Sequence, residues 1–308
     1  MKRIVFMGTP DFAVPCLQKL IETQRVVGVV TQPDRPAGRG QQLHPPPVKV
    51  VAEAAGIPVY QPDVLRRPES TAPIREWQPE AIVVAAFGQI LRQHLLDLPP
   101  LGCLNVHASL LPRWRGAAPI QQALLSGDRE TGVSLMKMEA GLDTGPVFVQ
   151  QAIPIGPQET AGTLHDKLAA LGATMLVDYL DEILSGRIPP TPQNNDLATY
   201  APMIQKEQGQ IDWQQDNQQL DRHVRAMSPW PGAFSYWQGK LLKVLAARPV
   251  ADLASGRPGL VIQQQNEWFV RCGAGCLQLL SVQLEGKRPA SGSDFGRGRP
   301  DFAGSVLG

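Results

Sequence analysis

Three residues carry the chemistry this chain could do: an amide at Asn105, an imidazole at His107 and a carboxylate at Asp143. Asn105 and His107 lie in NVHASLLPRWRGAAPIQQAL, and Asp143 lies in GLDTG. The set suits addition of an amine to a small carbonyl. An amide N–H stabilises a developing oxyanion, an imidazole handles protons, and a carboxylate orients the imidazole. No serine or cysteine nucleophile is required, and no G-x-S-x-G elbow is present. Singly, each residue has an ordinary use: Asn105 as a cap, His107 as a core histidine, Asp143 as a turn former between Gly141 and Gly145. Together, each after an apolar strand-like run (LGCLNV, TGVSLMKM), they point to strand ends of an open α/β sheet.

The elements that must position them follow from periodicity. KRIVFMG, VVGVVT, AIVVAA, GCLNV and TGVSLMKM are short β-branched runs of the buried, parallel kind. Helix-like FAVPCLQKLIE, VKVVAEAAG and AAPIQQALLSG lie between them, and residues 160–185 carry a long amphipathic pattern. The rhythm predicts an α/β domain over 1–186 with a Rossmann-like, mostly parallel sheet. A Pro-rich linker follows over 187–208. One helix (NQQLDRHVRAM) and the short strands GAFSYW, KLLKVLAA, GLVIQQQ, EWFVRC and CLQLLSVQL then predict a small OB-like β-barrel over 209–308, ending in a mobile Gly/Pro/Ser-rich tail. GTPDF after the first strand is no dinucleotide fingerprint, because only Gly8 of a G-x-G-x-x-G is there, and a dehydrogenase is excluded.

Composition narrows the classes. With 43% hydrophobic and 19% charged residues, the chain is an ordinary globular one for two domains. No apolar run reaches the roughly 20 residues of a spanning helix, and MKRIVFMGTP reads as a strand, not a signal peptide. Cys16, Cys103, Cys272 and Cys276 do not form paired metal-ligand spacings, so reduced cysteines and no metal are expected. Net charge is +1, so a nucleic-acid partner has to be met by local basic patches. One is QPDRPAGRGQQLHPPPVK (32–49), too long for a routine connection of about 2–6 residues and carrying Arg35, Arg39 and Lys49.

Asn-x-His with SLLP and a later Asp closely resembles the signature of the folate-dependent formyltransferases. GTPDF (8–12), TQPDRPAGRG (31–40) and IDW (211–213) extend the resemblance over nearly the whole chain and narrow it to the branch acting on methionyl-tRNA. The resemblance implies formyl transfer from 10-formyltetrahydrofolate to the α-amino group of methionine on initiator methionyl-tRNA, by direct amine attack and a tetrahedral intermediate. Asn105 would bond the formyl oxygen as it becomes an oxyanion, His107 would support the intermediate, and Asp143 would hold His107 and help move the amine proton. A bound water is an open alternative for the final base. Ser109, Leu110, Leu111 and Pro112 would line the folate pocket, with Phe87 and Gly88 across it. Phe87 reads equally as a core aromatic, and Arg113, Trp114 and Arg115 as a solvated face.

By the same resemblance the 32–49 insert wedges into the tRNA acceptor stem, with Arg35 and Arg39 as contacts. The C-terminal domain adds Lys206, and Arg222, Arg225, Lys240 and Lys243 as further candidates. A cytoplasmic monomer acting in translation initiation, with no membrane partner, is expected. Two alternatives are a formyltransferase for an amino-sugar nucleotide, which the basic insert and IDW disfavour, and a non-catalytic RNA-binding protein, which the intact Asn105, His107 and Asp143 disfavour. Glycinamide ribonucleotide as acceptor would leave the second domain unused.

Overall fold

Each β-branched run read from the sequence becomes a strand. The computed structural model describes residues 1–37, 42–253 and 255–308. The chain runs β1 (Arg3–Gly8), α1 (Val14–Thr23), β2 (Arg25–Val30), β3 (Arg35–Ala37), β4 (Gln42–His44), α2 (Pro47–Ala54), β5 (Val59–Tyr60) and α3 (Ala72–Glu76). Then come β6 (Ala81–Ala85), α4 (Gln93–Leu96), β7 (Cys103–His107), β8 (Arg115–Gly116), α5 (Pro119–Ser126), β9 (Glu130–Lys137), β10 (Val147–Pro154), α6 (Ala161–Leu184) and β11 (Tyr200–Ala201). Two compact units result: Met1–Pro119, Glu130–Pro154 and His165–Pro202 form the first, and Ile120–Arg129, Ile155–Leu164 and Met203–Gly308 the second.

The first unit holds a seven-stranded sheet in the order β10-β9-β7-β6-β1-β2-β5. β7, β6, β1, β2 and β5 are mutually parallel, while β9 joins β7 antiparallel and β10 joins β9 antiparallel. From β1 the chain steps to β2 and β5 on one side, then crosses to β6 and β7 on the other. The order therefore reverses between β1 and β6, and ligands of such sheets bind at the carboxyl ends beside that point. Gly8 and Ala85 pair there. A Cβ at Gly8 would stand 2.9 Å from the Ala85 carbonyl oxygen, which fixes glycine at that crossing.

The insert after β2 is built, not loose, where it is described: β3 and β4 pair as an antiparallel hairpin. Its base is pinned by Lys49, whose Nζ donates to both Asp34 carboxylate oxygens at 2.9 Å, while Gln61 Nε2 donates to Asp34 Oδ1 at 2.7 Å. These hydrogen bonds, Gln61 first, hold the Asp34 carboxyl below its ordinary range. Lys49 is thereby spent on the hairpin's base.

The second unit carries α7 (Asn217–Ala226), β12 (Ala233–Trp237), β13 (Lys240–Val250), β14 (Val261–Gln264), β15 (Glu267–Arg271), β16 (Cys276–Leu284), β17 (Ala290–Ser291) and α8 (Gly292–Arg297). Its strands form an antiparallel sheet, β12-β13-β16-β15-β14, with β17 on β16. Asp216 caps α7 by accepting from Gln219 N, and Ser291 caps α8 the same way from Asp294 N. The tail expected to be mobile is instead packed: Phe302 is wholly buried with its ring centroid 5.0–5.3 Å from those of Trp237, Trp268 and Phe295. Leu260 and Val306 bridge behind it. Two apolar anchors, Phe302 and Leu307, outweigh the Gly/Ser composition around them.

α6 backs the strand that matters most. Asn105 and His107 point to one face of β7 and Val106 to the other, as period two requires. At Gly172 of α6 an added Cβ would lie 2.7 Å from Val106 Cγ1. Gly172→Ala gains about 1 kcal/mol of helix propensity but overpacks this contact at about 1–3 kcal/mol. A net loss of stability is expected in chemical denaturation; a stabilised variant would show that α6 does not bear on β7.

Candidate active site

β7 delivers Asn105 and His107 side by side on one face, 9% and 6% exposed. Among the described residues none hydrogen-bonds the Asn105 amide, so its N–H groups are available to a ligand. His107 is fixed differently. Its Nε2 lies 3.0 Å from the Trp114 carbonyl oxygen. A carbonyl only accepts, so Nε2 carries the hydrogen, and a neutral His107 presents the bare Nδ1 to Asp143. Nδ1 and Asp143 Oδ2 are 3.7 Å apart, too far for a hydrogen bond. A base and an acceptor thus flank a position through which a proton can pass.

Asp143 sits on the connection between β9 and β10 with φ 51, a left-handed conformation that side chains seldom adopt. Its carboxylate accepts from Gly116 N at 2.9 Å. Its own carbonyl, and that of Gly145, accept from Gln193 Nε2 at 2.8 and 2.7 Å. Gly145 admits this fold-back, because a Cβ there would meet the Lys137 carbonyl oxygen at 1.9 Å. Gln193 Oε1 in turn accepts from Arg115 Nε and Nη2 at 3.0 and 2.8 Å.

SLLP forms the turn that carries the chain from β7 to β8. Ser109 is fully buried and donates to the Arg113 carbonyl at 2.6 Å. Ser134 of β9 donates to the Ser109 carbonyl and accepts from Leu111 N, and Gln150 of β10 donates to the Leu111 carbonyl. Leu111 is buried, while Leu110 and Pro112 are partly exposed. The reading of Arg113, Trp114 and Arg115 as a solvated face fails for two of the three. Trp114 and Arg115 are buried, because Thr199 holds this segment inward, its hydroxyl accepting from Trp114 N and its carbonyl from Arg115 N, both at 2.9 Å. Arg113 is exposed, with its guanidinium 4.4 Å from the Trp114 ring centroid.

At the switch point a second cluster forms. The Phe87 carbonyl accepts from Thr9 Oγ1 at 3.1 Å and Gln32 Nε2 at 3.2 Å. The Phe87 ring itself is 3% exposed and packs with Val5, Met7, Ile82 and Leu95, so it is a core aromatic, and Gly88 supplies the open backbone. Beside it lies a pocket of about 360 Å³, lined among others by Gln32, Asp63, Arg66, Gly88, Ile90 and Arg92. That size falls in the range of small-ligand sites.

A profile of the formyl transferase family matches residues 1–180, and one for formyl transferase C-terminal domains matches 203–300. The methionyl-tRNA formyltransferase of Citrifermentans bemidjiense is 51% identical over 308 residues, 99% of this chain and 96% of that protein. The chain belongs to the methionyl-tRNA formyltransferase family. It is an enzyme of the formyl-transferring kind. In fold it is similar to a solved methionyl-tRNA formyltransferase from Clostridium thermocellum, at TM-score 0.56 and 18% identity over 80% of this chain and 93% of that one. It is also similar to WlaRD, a sugar 3N-formyl transferase, at TM-score 0.68 and 17% identity over 94% and 99%. Identities this low speak to fold alone.

Of the residues picked from sequence, Asn105, His107 and Asp143 converge, and the SLLP turn adjoins them through Trp114. Arg35 is exposed on β3, Nη2 donating to Gln32 Oε1 at 3.3 Å, and Lys206 is exposed on the short turn Lys206–Gly209. Arg39 lies outside the described residues. Sequence reasoning missed Gln193, Ser134 and Gln150; glutamines and serines in polar stretches give no periodic signal. The four cysteines are all buried and free, and burial pushes Cys16, Cys103 and Cys272 up to about 12, so no thiolate chemistry arises there. Among the described residues no cluster of three His, Cys, Asp or Glu side chains could hold a metal, and no helix is long and apolar enough to cross a membrane.

Gly116, at φ 120, tests how closely this segment must approach. A Cβ there would stand 2.6 Å from the Ala201 carbonyl oxygen. Gly116→Ala should cost about 1–3 kcal/mol of stability and, by shifting the N–H on Asp143, about tenfold or more in turnover. Steady-state kinetics at saturating substrate check this, and wild-type turnover would free Asp143 from dependence on Gly116.

Proposed function

We propose that this enzyme transfers a formyl group from 10-formyltetrahydrofolate to the α-amino group of methionine on initiator methionyl-tRNA, with Asn105, His107 and Asp143 as catalytic residues. The observation that supports it most is the convergence of amide, imidazole and carboxylate on a chain half identical to enzymes of that name. The neutral amine attacks the formyl carbon, and the carbonyl oxygen takes negative charge. The Asn105 amide, free to donate, stabilises that oxyanion. The amine proton passes to His107 Nδ1 beside Asp143, and His107 returns it to the folate nitrogen as the C–N bond breaks. The α-amino group, with a pKa of about 7.7–8.0, needs no further activation once held in place, so direct transfer without a covalent enzyme intermediate suffices.

The donor is assigned to the pocket beside Gly88, next in the chain to Phe87, and Ser109, Leu110, Leu111 and Pro112 are assigned to the same ligand. Arg66 and Arg92 supply positive charge suited to the carboxylates of a folate tail. We assign catalysis to residues 1–186, a linker to 187–208 and tRNA backbone contacts to 209–308, with Arg35, Arg39 and Lys206 as tRNA-binding residues. The enzyme acts as a cytoplasmic monomer. An amino-sugar nucleotide acceptor shares the fold, but the basic insert and the half-identical relatives favour tRNA.

Two measurements test this. Asn105→Ala should lower kcat by about 10²–10³-fold while leaving tRNA affinity nearly unchanged, since the amide acts on charge present only in the transition state. Near-normal turnover would remove Asn105 from the chemistry. Arg39→Ala should blur the choice between initiator and elongator methionyl-tRNA, and Arg39→Lys should rescue poorly, because only a guanidinium offers a planar fork. Equal weakening for all tRNAs, full lysine rescue and a salt slope reduced by about one unit would reduce Arg39 to a general attraction.

A further inference from the structure

Arg115 is a cation in an unusual place. It is 2% exposed, yet among the described residues no carboxylate pairs with it. Its Nε and Nη2 donate to Gln193 Oε1, and Nη2 also donates to Asn195 Oδ1 at 2.8 Å. Burying a guanidinium against neutral amides costs desolvation that an ion pair would partly offset. A contact serving packing alone would be better made by an apolar residue.

What this arrangement secures is visible at the other end of Gln193. Its orientation is unambiguous, since Arg115 can only donate and the two carbonyls can only accept. Nε2 therefore holds the carbonyls of Asp143 and Gly145, the two ends of the segment that keeps Asp143 at φ 51. Next to Arg115 in the chain, Gly116 N holds the Asp143 carboxylate and Trp114 O holds His107. One three-residue segment thus governs the imidazole directly, the carboxylate through a backbone N–H, and the carboxylate's own backbone through a side-chain relay.

We infer that Arg115 and Gln193 form a positioning clamp for the formyl-transfer reaction, holding the strained Asp143 backbone so that its carboxylate stays opposite His107 Nδ1. The clamp rests on the role given to Asp143 above. Neither side chain need touch substrate. The fold itself is served by other bonds, since Thr199 already holds residues 114 and 115 by their backbones.

A double-mutant cycle separates positioning from structure. Gln193→Glu keeps the acceptor for Arg115 but cannot donate to the two carbonyls. It should lower kcat by about 10- to 100-fold, with KM for methionyl-tRNA and for the formylfolate shifted less than about threefold. In an Asp143→Asn background the same change should cost less than about twofold, because the group it positions is already disabled. Arg115→Lys, which retains charge but cannot serve both acceptors in the same plane, should behave likewise, with thermal unfolding confirming that each variant is folded. Equal fold-losses in both backgrounds, unchanged kcat, or loss of the folded state in both variants would assign Arg115 and Gln193 to the fold and overturn the clamp. Full turnover of Asp143→Asn alone would overturn the role of Asp143 and the clamp with it, whereas a severe loss there with additive cycles overturns the clamp only.

Discussion

The site depends on a short irregular backbone segment, residues 114–116, whose own peptide groups do work that side chains do elsewhere. Trp114 lies at φ 62 and Gly116 at φ 120, so the chain turns its carbonyl toward His107 and its N–H toward Asp143 within three residues. Buried peptide groups must find partners. Here β11 completes them: Ala201 pairs with Gly116, and its carbonyl accepts from Ala117 N at 2.8 Å. A segment 85 positions away in sequence therefore sets the geometry around His107 and Asp143. Within the stretch read as a linker, residues 193–201 are part of this support.

A second network ties the insert to the switch point. Asp34 and Lys49 close the base of the hairpin, Gln61 Nε2 also donates to the Gln32 carbonyl at 2.9 Å, and Gln32 reaches the Phe87 carbonyl. Arg35 leans on the same Gln32 side chain. Such contiguous polar contacts fix relative positions because breaking any one strands a partly buried donor or acceptor. The hairpin's base is thus tied to the strand ends beside the pocket at Gly88.

The candidate chemistry was legible in the sequence because catalysis constrains residue type and order. An amide and an imidazole two apart on a strand must share a face, and Asn105 and His107 do. A carboxylate beside glycines must sit on a sharp bend, and Asp143 does. Long-range hydrogen bonds are different. Gln193 and Ser134 occupy ordinary polar positions, and nothing local distinguishes a glutamine that clamps a loop from one that faces water. Trp114 and Arg115 misled for the same reason: a charge-flanked run looks solvated until the partner strand that buries it is known.

Sequence alone marked the buried strands β1, β2, β6, β7 and β9 and the helices α1, α2, α5 and α6, since apolar period reports burial and β-branching reports the pleated backbone. The exposed β4 and the half-exposed β10 carry no such pattern and were not read. It picked out Asn105, His107 and Asp143 as the candidate trio, and the family, since both are written in short motifs. Only the tertiary structure decided that β9 runs against the rest of the sheet, with β10 pairing antiparallel beside it, because strand direction depends on connections and not on side-chain pattern. It also decided that the tail is packed, because one phenylalanine finding an aromatic nest outweighs a composition of glycine and serine. And it decided that His107 and Asp143 stand 3.7 Å apart, a distance set by bonds from residues 114–116 and Gln193 whose partners meet only when the chain has folded.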